Sequence, residues 1–174
     1  MAQLTIITAP DPRLKLKARP VAAVDAKVRR LMDDMLETMY GAIGIGLAAP
    51  QVGVAGRVIV LDVARDGEKP QPMALANPEI LWRSPELTTG SEGCLSLPEH
   101  YADVTRPAEI RLRWLDRDNE IRETHATGLL ATCLQHEIEH LDGVLFVDHI
   151  SLVKRGMILR KLAKTKRSRA PAMA

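Results

Sequence analysis

His136-Glu137-Ile138-Glu139-His140 places two imidazoles one helical turn apart, with a carboxylate beside the first. Residues four apart share a helix face, so both rings can grip one metal ion from the same side, and Glu137 then reaches a water held there. The surrounding periodicity supports a helix: Leu130, Cys133, Leu134, Glu137 and Leu141 recur at helical intervals, Thr127 stands where an N-cap is needed, and Gly143 offers a stop.

Two ligands do not complete a site, because a catalytic centre of the zinc type takes three protein ligands and keeps one position open for water. Metzincin proteases find a third histidine downstream, but here Phe146 occupies that position. Proteases that use a later glutamate also fail, since no Glu follows Glu139. The remaining candidates lie upstream, and the best is Cys94 in Glu92-Gly93-Cys94-Leu95-Ser96. Thiolate is a strong ligand for first-row divalent metals, and the preceding glycine lets the backbone come close. Cys133 has apolar neighbours and reads as a small hydrophobe of the helix. His100, His125 and His149 have no partner at ligand spacing.

Upstream again, Gly44-Ile45-Gly46-Leu47-Ala48-Ala49-Pro50-Gln51 is small, apolar and uncharged. No lysine follows and a helix precedes it, so it makes a poor phosphate loop. An extended edge that pairs with a peptide through backbone hydrogen bonds fits better, and Gln51 adds a neutral amide donor suited to an oxyanion.

The remaining pattern predicts an α+β fold, with antiparallel strands packed around a central metal-binding helix, an N-terminal amphipathic helix and a C-terminal helix. Val28, Leu31, Met32, Met35, Leu36 and Met39 form one stripe that ends at Gly41, a core-packing helix. Strands are expected at Arg57 to Val63, Met73 to Trp82, Leu87 to Thr89, Tyr101 to Thr105, Ile110 to Leu115 and Ile121 to His125. Leu152, Ile158, Leu159 and Leu162 suggest the last helix. A length of 174 residues predicts a single catalytic domain over 1–174.

Composition narrows the setting. The hydrophobic share is 46% with aromatics at 3%, which predicts an aliphatic core. Two cysteines make no disulfide framework, so a reduced, cytoplasmic environment is the simpler expectation. No apolar run approaches the ~20 residues that span a bilayer, which argues against a membrane role. Eight of the 24 Lys and Arg lie after Ser151 with none of the 22 acids, so a basic end follows an acidic body. That end suits a solvated face or a phosphate-rich partner held by charge.

Gly44 to Gln51, Glu92 to Ser96 and Gln135 to His140 resemble, in order and spacing, the three motifs of the peptide deformylases. The likeness also takes in Pro10-Asp11-Pro12-Arg13 and the first helix, reaching from near residue 4 to about residue 165. It implies removal of the formyl group from the N-terminal formylmethionine of newly made proteins. By the same resemblance, Cys94, His136 and His140 hold one divalent metal, with iron(II) used in the cell and zinc, nickel or cobalt able to replace it. Glu137 becomes the general acid and base, while the Gln51 amide and the Leu95 backbone N–H hold the oxyanion. Gly44, Ile45 and Gly46 would meet the substrate peptide, and Ile45, Leu129 and the His136 ring would line the methionine pocket with Thr132 close by. The partners implied are N-formylmethionyl nascent peptides and the ribosome, the latter through the basic C-terminal helix. One departure is Glu139, where the family usually carries aspartate. From the residues alone, a metallopeptidase and a closed structural-zinc module remain rival readings.

Overall fold

The computed structural model describes residues 2–169. The part of the basic end beyond Arg169 lies outside them. After an N-terminal segment with a short 3-10 turn, helix α1 runs Ala26–Gly41. Its cap is Asp25, whose carboxylate accepts from Val28 N at 2.9 Å. Met32, Met35 and Met39 on its stripe are fully buried. Each contributes about 1.5–3 kcal/mol of burial.

Strands β1 (Gly46–Ala48), β2 (Val58–Leu61), β3 (Met73–Arg83), β6 (Glu109–Leu115) and β7 (Ile121–Thr127) form one antiparallel sheet in the order β1-β2-β3-β6-β7. Strands β4 (Leu87–Cys94) and β5 (Leu97–Pro107) form a separate hairpin, joined by a tight turn at Leu95-Ser96. Its β4 is much longer than the Leu87 to Thr89 expected, because glycines and polar residues interrupt the apolar pattern that sequence reading follows. The pairing of Gly93 with Tyr101 and of Cys94 with Leu97 brackets a bulge.

Helix α2 (Gly128–Leu141) is buried on nearly every side, from Ala131 to Leu141. It packs against the sheet through Cys133, Leu134, Ile138 and Leu141, which join Ile59, Leu75, Ile110 and Leu112 in one cluster. Beyond its exposed first turn the helix has little solvent face, so its buried polar residues need partners inside the protein. Thr127 occupies the N-cap position as expected, but its side chain makes no cap bond. Gly143 turns the chain at φ +74°, and a Cβ there would stand 2.3 Å from the Lys15 carbonyl, so the stop also seals the helix against the N-terminal segment.

Helix α3 (Leu152–Arg169) docks Leu162, with Ile158 and Leu159, on a cluster containing Leu14, Leu97 and Phe146. Leu152 does not join it and is 83% exposed, because the apolar stripe begins only a turn and a half further on. Among the described residues, no helix is long and apolar enough to cross a membrane.

Candidate metal centre

Two elements bring the ligands together. Cys94 ends β4, where the bulge after Gly93 turns its side chain toward α2. His136 and His140 project from one face of α2. The Cys94 Sγ and His136 Nε2 each stand 3.3 Å from His140 Nε2, and the ligand atoms of all three residues lie within 4.8 Å of one another. Tetrahedral donors at bonding distance from one ion stand roughly 3.3–3.7 Å apart. The spacing therefore fits a divalent metal, and so does the donor set of one thiol and two imidazoles.

The rings are oriented for that task. His136 Nδ1 donates to Glu92 Oε1 at 2.9 Å, which fixes the tautomer and leaves the Nε2 lone pair facing the sulfur. In the metal-free chain burial opposes a charge on His136, yet hydrogen bonds to Cys94 and Glu92 raise its pKa well above the usual value, so a metal would bind there by displacing the Nε2 proton. His140 is pushed well below its usual value by burial and by His136, so its imidazole is neutral, as a ligand must be. Its buried Nδ1 has no hydrogen-bond partner among the described residues. Phe146, in the place of a metzincin histidine, stacks on the His136 ring with centroids 6.3 Å apart.

Behind the rings lies a buried ion network. Arg106 donates through Nε and Nη2 to the two oxygens of Glu92, at 2.6 and 2.9 Å, and through Nη1 to Glu139 Oε1 at 2.9 Å. His149 meets the same Glu139 carboxylate at 2.9 and 3.0 Å. Burial raises the Glu92 pKa, but the bonds from His136 and Arg106 outweigh it and hold the carboxyl down at about 2. Sequence reading did not assign these roles to Arg106 or Glu92. A signal was available: Arg106 shares the inward phase of β5 with Val104, and an arginine in that phase needs an internal acid.

Glu137 is buried beside the rings, and its Oε2 has no hydrogen-bond partner among the described residues. Burial, aided by Glu92, pushes its carboxyl up to about 7. Gly46 is required next to it, since a Cβ at that position would fall 2.4 Å from Glu137 Oε1. A carboxyl so tuned suits proton transfer near neutral pH.

A cleft of about 560 Å³ opens onto these groups between the segment Ala42 to Gly46 and the hairpin. Gln51, Cys94, Leu95 and Glu137 line it. The Gln51 amide is fixed in direction: Oε1 accepts from Ala48 N at 2.8 Å, while Nε2 donates to Ser96 Oγ at 3.0 Å and lies 3.5 Å from Cys94 Sγ. β1 is an edge strand. The Ile45 carbonyl accepts from Asp62 N at 2.9 Å, so by antiparallel alternation Gly46 turns its N–H and C=O to the open edge.

Of the residues predicted for the substrate, Gly44, Ile45 and Gly46 line this cleft. Leu129 and Thr132, on the first turns of α2, are not among its lining residues. Cys133 is buried in the core cluster and makes a 3.7 Å contact to the Ile45 carbonyl.

A profile of the polypeptide deformylase family matches residues 3–156. The chain is 63% identical to the peptide deformylase of Methylocella silvestris over 162 residues, covering 91% of this chain and 83% of that one. It is 53% identical to the peptide deformylase of Agrobacterium fabrum over 164 residues, covering 94% and 96%. The crystal structure of peptide deformylase from Ehrlichia chaffeensis superposes with a TM-score of 0.92 at 39% identity, covering 96% of this chain and 98% of that one.

Proposed function

The chain belongs to the polypeptide deformylase family, and on that premise we propose specific roles for the residues around its cleft. It is a metal-dependent hydrolase that removes the formyl group from N-terminal formylmethionine, acting on formylated nascent peptides. Cys94, His136 and His140 hold the metal, and the convergence of their donor atoms within 4.8 Å is the observation that carries this reading. The ion is iron(II) in the cell, with zinc, nickel or cobalt able to replace it. When bound, it supplies Lewis-acid activation of water and of the formyl oxygen.

The protein does the rest. The open edge of Gly46 pairs with the peptide and delivers the formyl carbon to the cleft wall that Glu137 occupies. Glu137 accepts a proton from the attacking water and returns it to the leaving amine nitrogen, so that water and N-formyl peptide become formate and a free amine. Gln51 Nε2 and the Leu95 backbone N–H donate to the oxygen on which negative charge develops. Ile45 and the His136 ring border the methionine side chain from the cleft wall, with Leu129 beside them and Thr132 close by, these two standing beyond the cleft lining. Glu92 and Arg106 keep the His136 ring in register.

Among the described residues the donor cluster has three protein ligands, which favours an open catalytic site over a closed structural one. α3 ends in Lys166, Arg167 and Arg169 and presents a basic face, which supports salt-sensitive docking on the ribosome. Two free cysteines are consistent with the cytoplasm.

The test is formate release from formyl-Met-Ala-Ser by anaerobically iron-loaded protein compared with zinc-loaded protein. Release that depends on metal is expected. No formate with any divalent metal would overturn the reading.

A further inference from the structure

Between α2 and α3 the chain makes a 3-10 turn, Phe146–His149. Phe146 and Val147 are buried, and the turn is pinned where it carries His149. The Asp148 carboxylate accepts from Leu145 N and from Arg155 Nε, each at 2.9 Å, and pairs with Lys15. Those bonds tie the turn to its own start, to α3 and to the N-terminal segment, so His149 projects from a fixed base.

Two limbs run from this turn to one ring. The first is direct and apolar: Phe146 stacks on the face of His136, with the planes 22° from parallel. The second is polar and longer. His149 Nε2 donates to both oxygens of Glu139, Glu139 Oε1 accepts from Arg106 Nη1, Arg106 clasps Glu92, and Glu92 accepts from His136 Nδ1. Side-chain exposure along this path falls from 34% at His149 and 26% at Glu139 to 3% at Arg106 and 6% at Glu92. The path starts at the surface and ends on a buried ring.

Stacking on Phe146 sets the tilt of the His136 plane, but a stacked ring can still turn within that plane. A bond at the ring edge stops the turn, and the bond from Nδ1 is as firm as Glu92 is. Glu92 depends on Arg106, whose Nη1 would be left inside the protein without this acceptor if Glu139 swung out to solvent. Glu139 is exposed enough to swing and gains side-chain entropy by doing so. His149 opposes that motion from its fixed base.

We propose that His149 is a positioning residue for the metal centre: it holds the Glu139 carboxylate inward on Arg106 and so, through Glu92, fixes the direction of the His136 lone pair. The inference rests on the assignment of Cys94, His136 and His140 as ligands and adds a surface residue on which retention of the ion depends.

The experiment is metal release from cobalt-loaded protein, followed as loss of the thiolate-to-cobalt absorption after excess EDTA is added. Wild type is compared with His149→Ala, His149→Gln and Arg113→Ala. The glutamine amide keeps an N–H that can reach Glu139, while Arg113→Ala removes an exposed pair with Glu79 that has no part in the path. His149→Ala should release cobalt about fivefold faster than wild type, less than loss of a direct partner of the ligand would cause, because Glu139 and Arg106 intervene. His149→Gln and Arg113→Ala should both stay within about twofold of wild type. Unchanged release in His149→Ala, or equal acceleration in His149→Gln or Arg113→Ala, would overturn the proposal while cobalt binding itself stood. A wild-type protein without thiolate-to-cobalt absorption would instead remove the ligand assignment.

Discussion

Glu92 accepts a hydrogen bond from His136 Nδ1 at 2.9 Å while Arg106 holds both of its oxygens, so the orientation of a ligand ring is set by a carboxylate that is itself clamped. The arrangement is buried, and removing one partner strands the others. Arg106→Ala should therefore destabilise the protein by about 3–5 kcal/mol. It should also weaken metal affinity by roughly 10- to 100-fold. Denaturant unfolding and metal titration read the two effects, and wild-type affinity in a folded variant would show that the ring needs no such support.

Glu139 extends the clamp outward to His149. Its partly exposed carboxylate reaches both Arg106 and His149 through the additional methylene that distinguishes it from aspartate. Glu139→Asp should break one of these contacts and cost about 1 kcal/mol or less, as befits a pair near the surface. A loss as large as that of Arg106→Ala would place Glu139 at the heart of the network instead.

Glu137→Gln should retain metal yet lose roughly 100-fold or more in kcat, because the amide cannot accept the water's proton. Metal content and turnover measured on the same preparation separate the two. Near-normal turnover would assign proton transfer to another group.

The same carboxyl gives a pH signature in the metal-free protein. Burial raises its pKa from 4.5 to about 7 on folding, so the folded chain binds more protons than the unfolded one between those values. Stability is then undiminished below about pH 4.5, falls as pH rises through 7, and stays lower above it. Relative to wild type, metal-free Glu137→Gln should gain on the order of 3 kcal/mol between pH 4.5 and pH 8.5. A gain that does not change with pH, followed by thermal unfolding, would show that Glu137 is not buried in its charged form.

Much of this was legible in the sequence where a local pattern carries the physics. The methionine stripe of α1 and the alternation of Ile110, Leu112 and Trp114 report directly which face is buried. The spacing of His136 and His140 fixes a shared helix face. Cys94 follows from the third ligand that two histidines lack. The bulge that aims it and the Glu92–Arg106–Glu139 network depend on β4, β5 and α2 meeting in space, and no window of neighbouring residues encodes that meeting. Leu152 begins the helix that its spacing predicts, yet it stays exposed because the residues that dock α3 start at Ile158.

The account stands on Cys94, His136 and His140 sharing one ion. X-ray absorption at the edge of the bound metal measures that directly. In the zinc-loaded protein one sulfur at about 2.3 Å and two imidazole nitrogens near 2.0–2.1 Å are predicted, with the sulfur replaced by a lighter scatterer in Cys94→Ser. A shell without sulfur in the wild-type protein would contradict it.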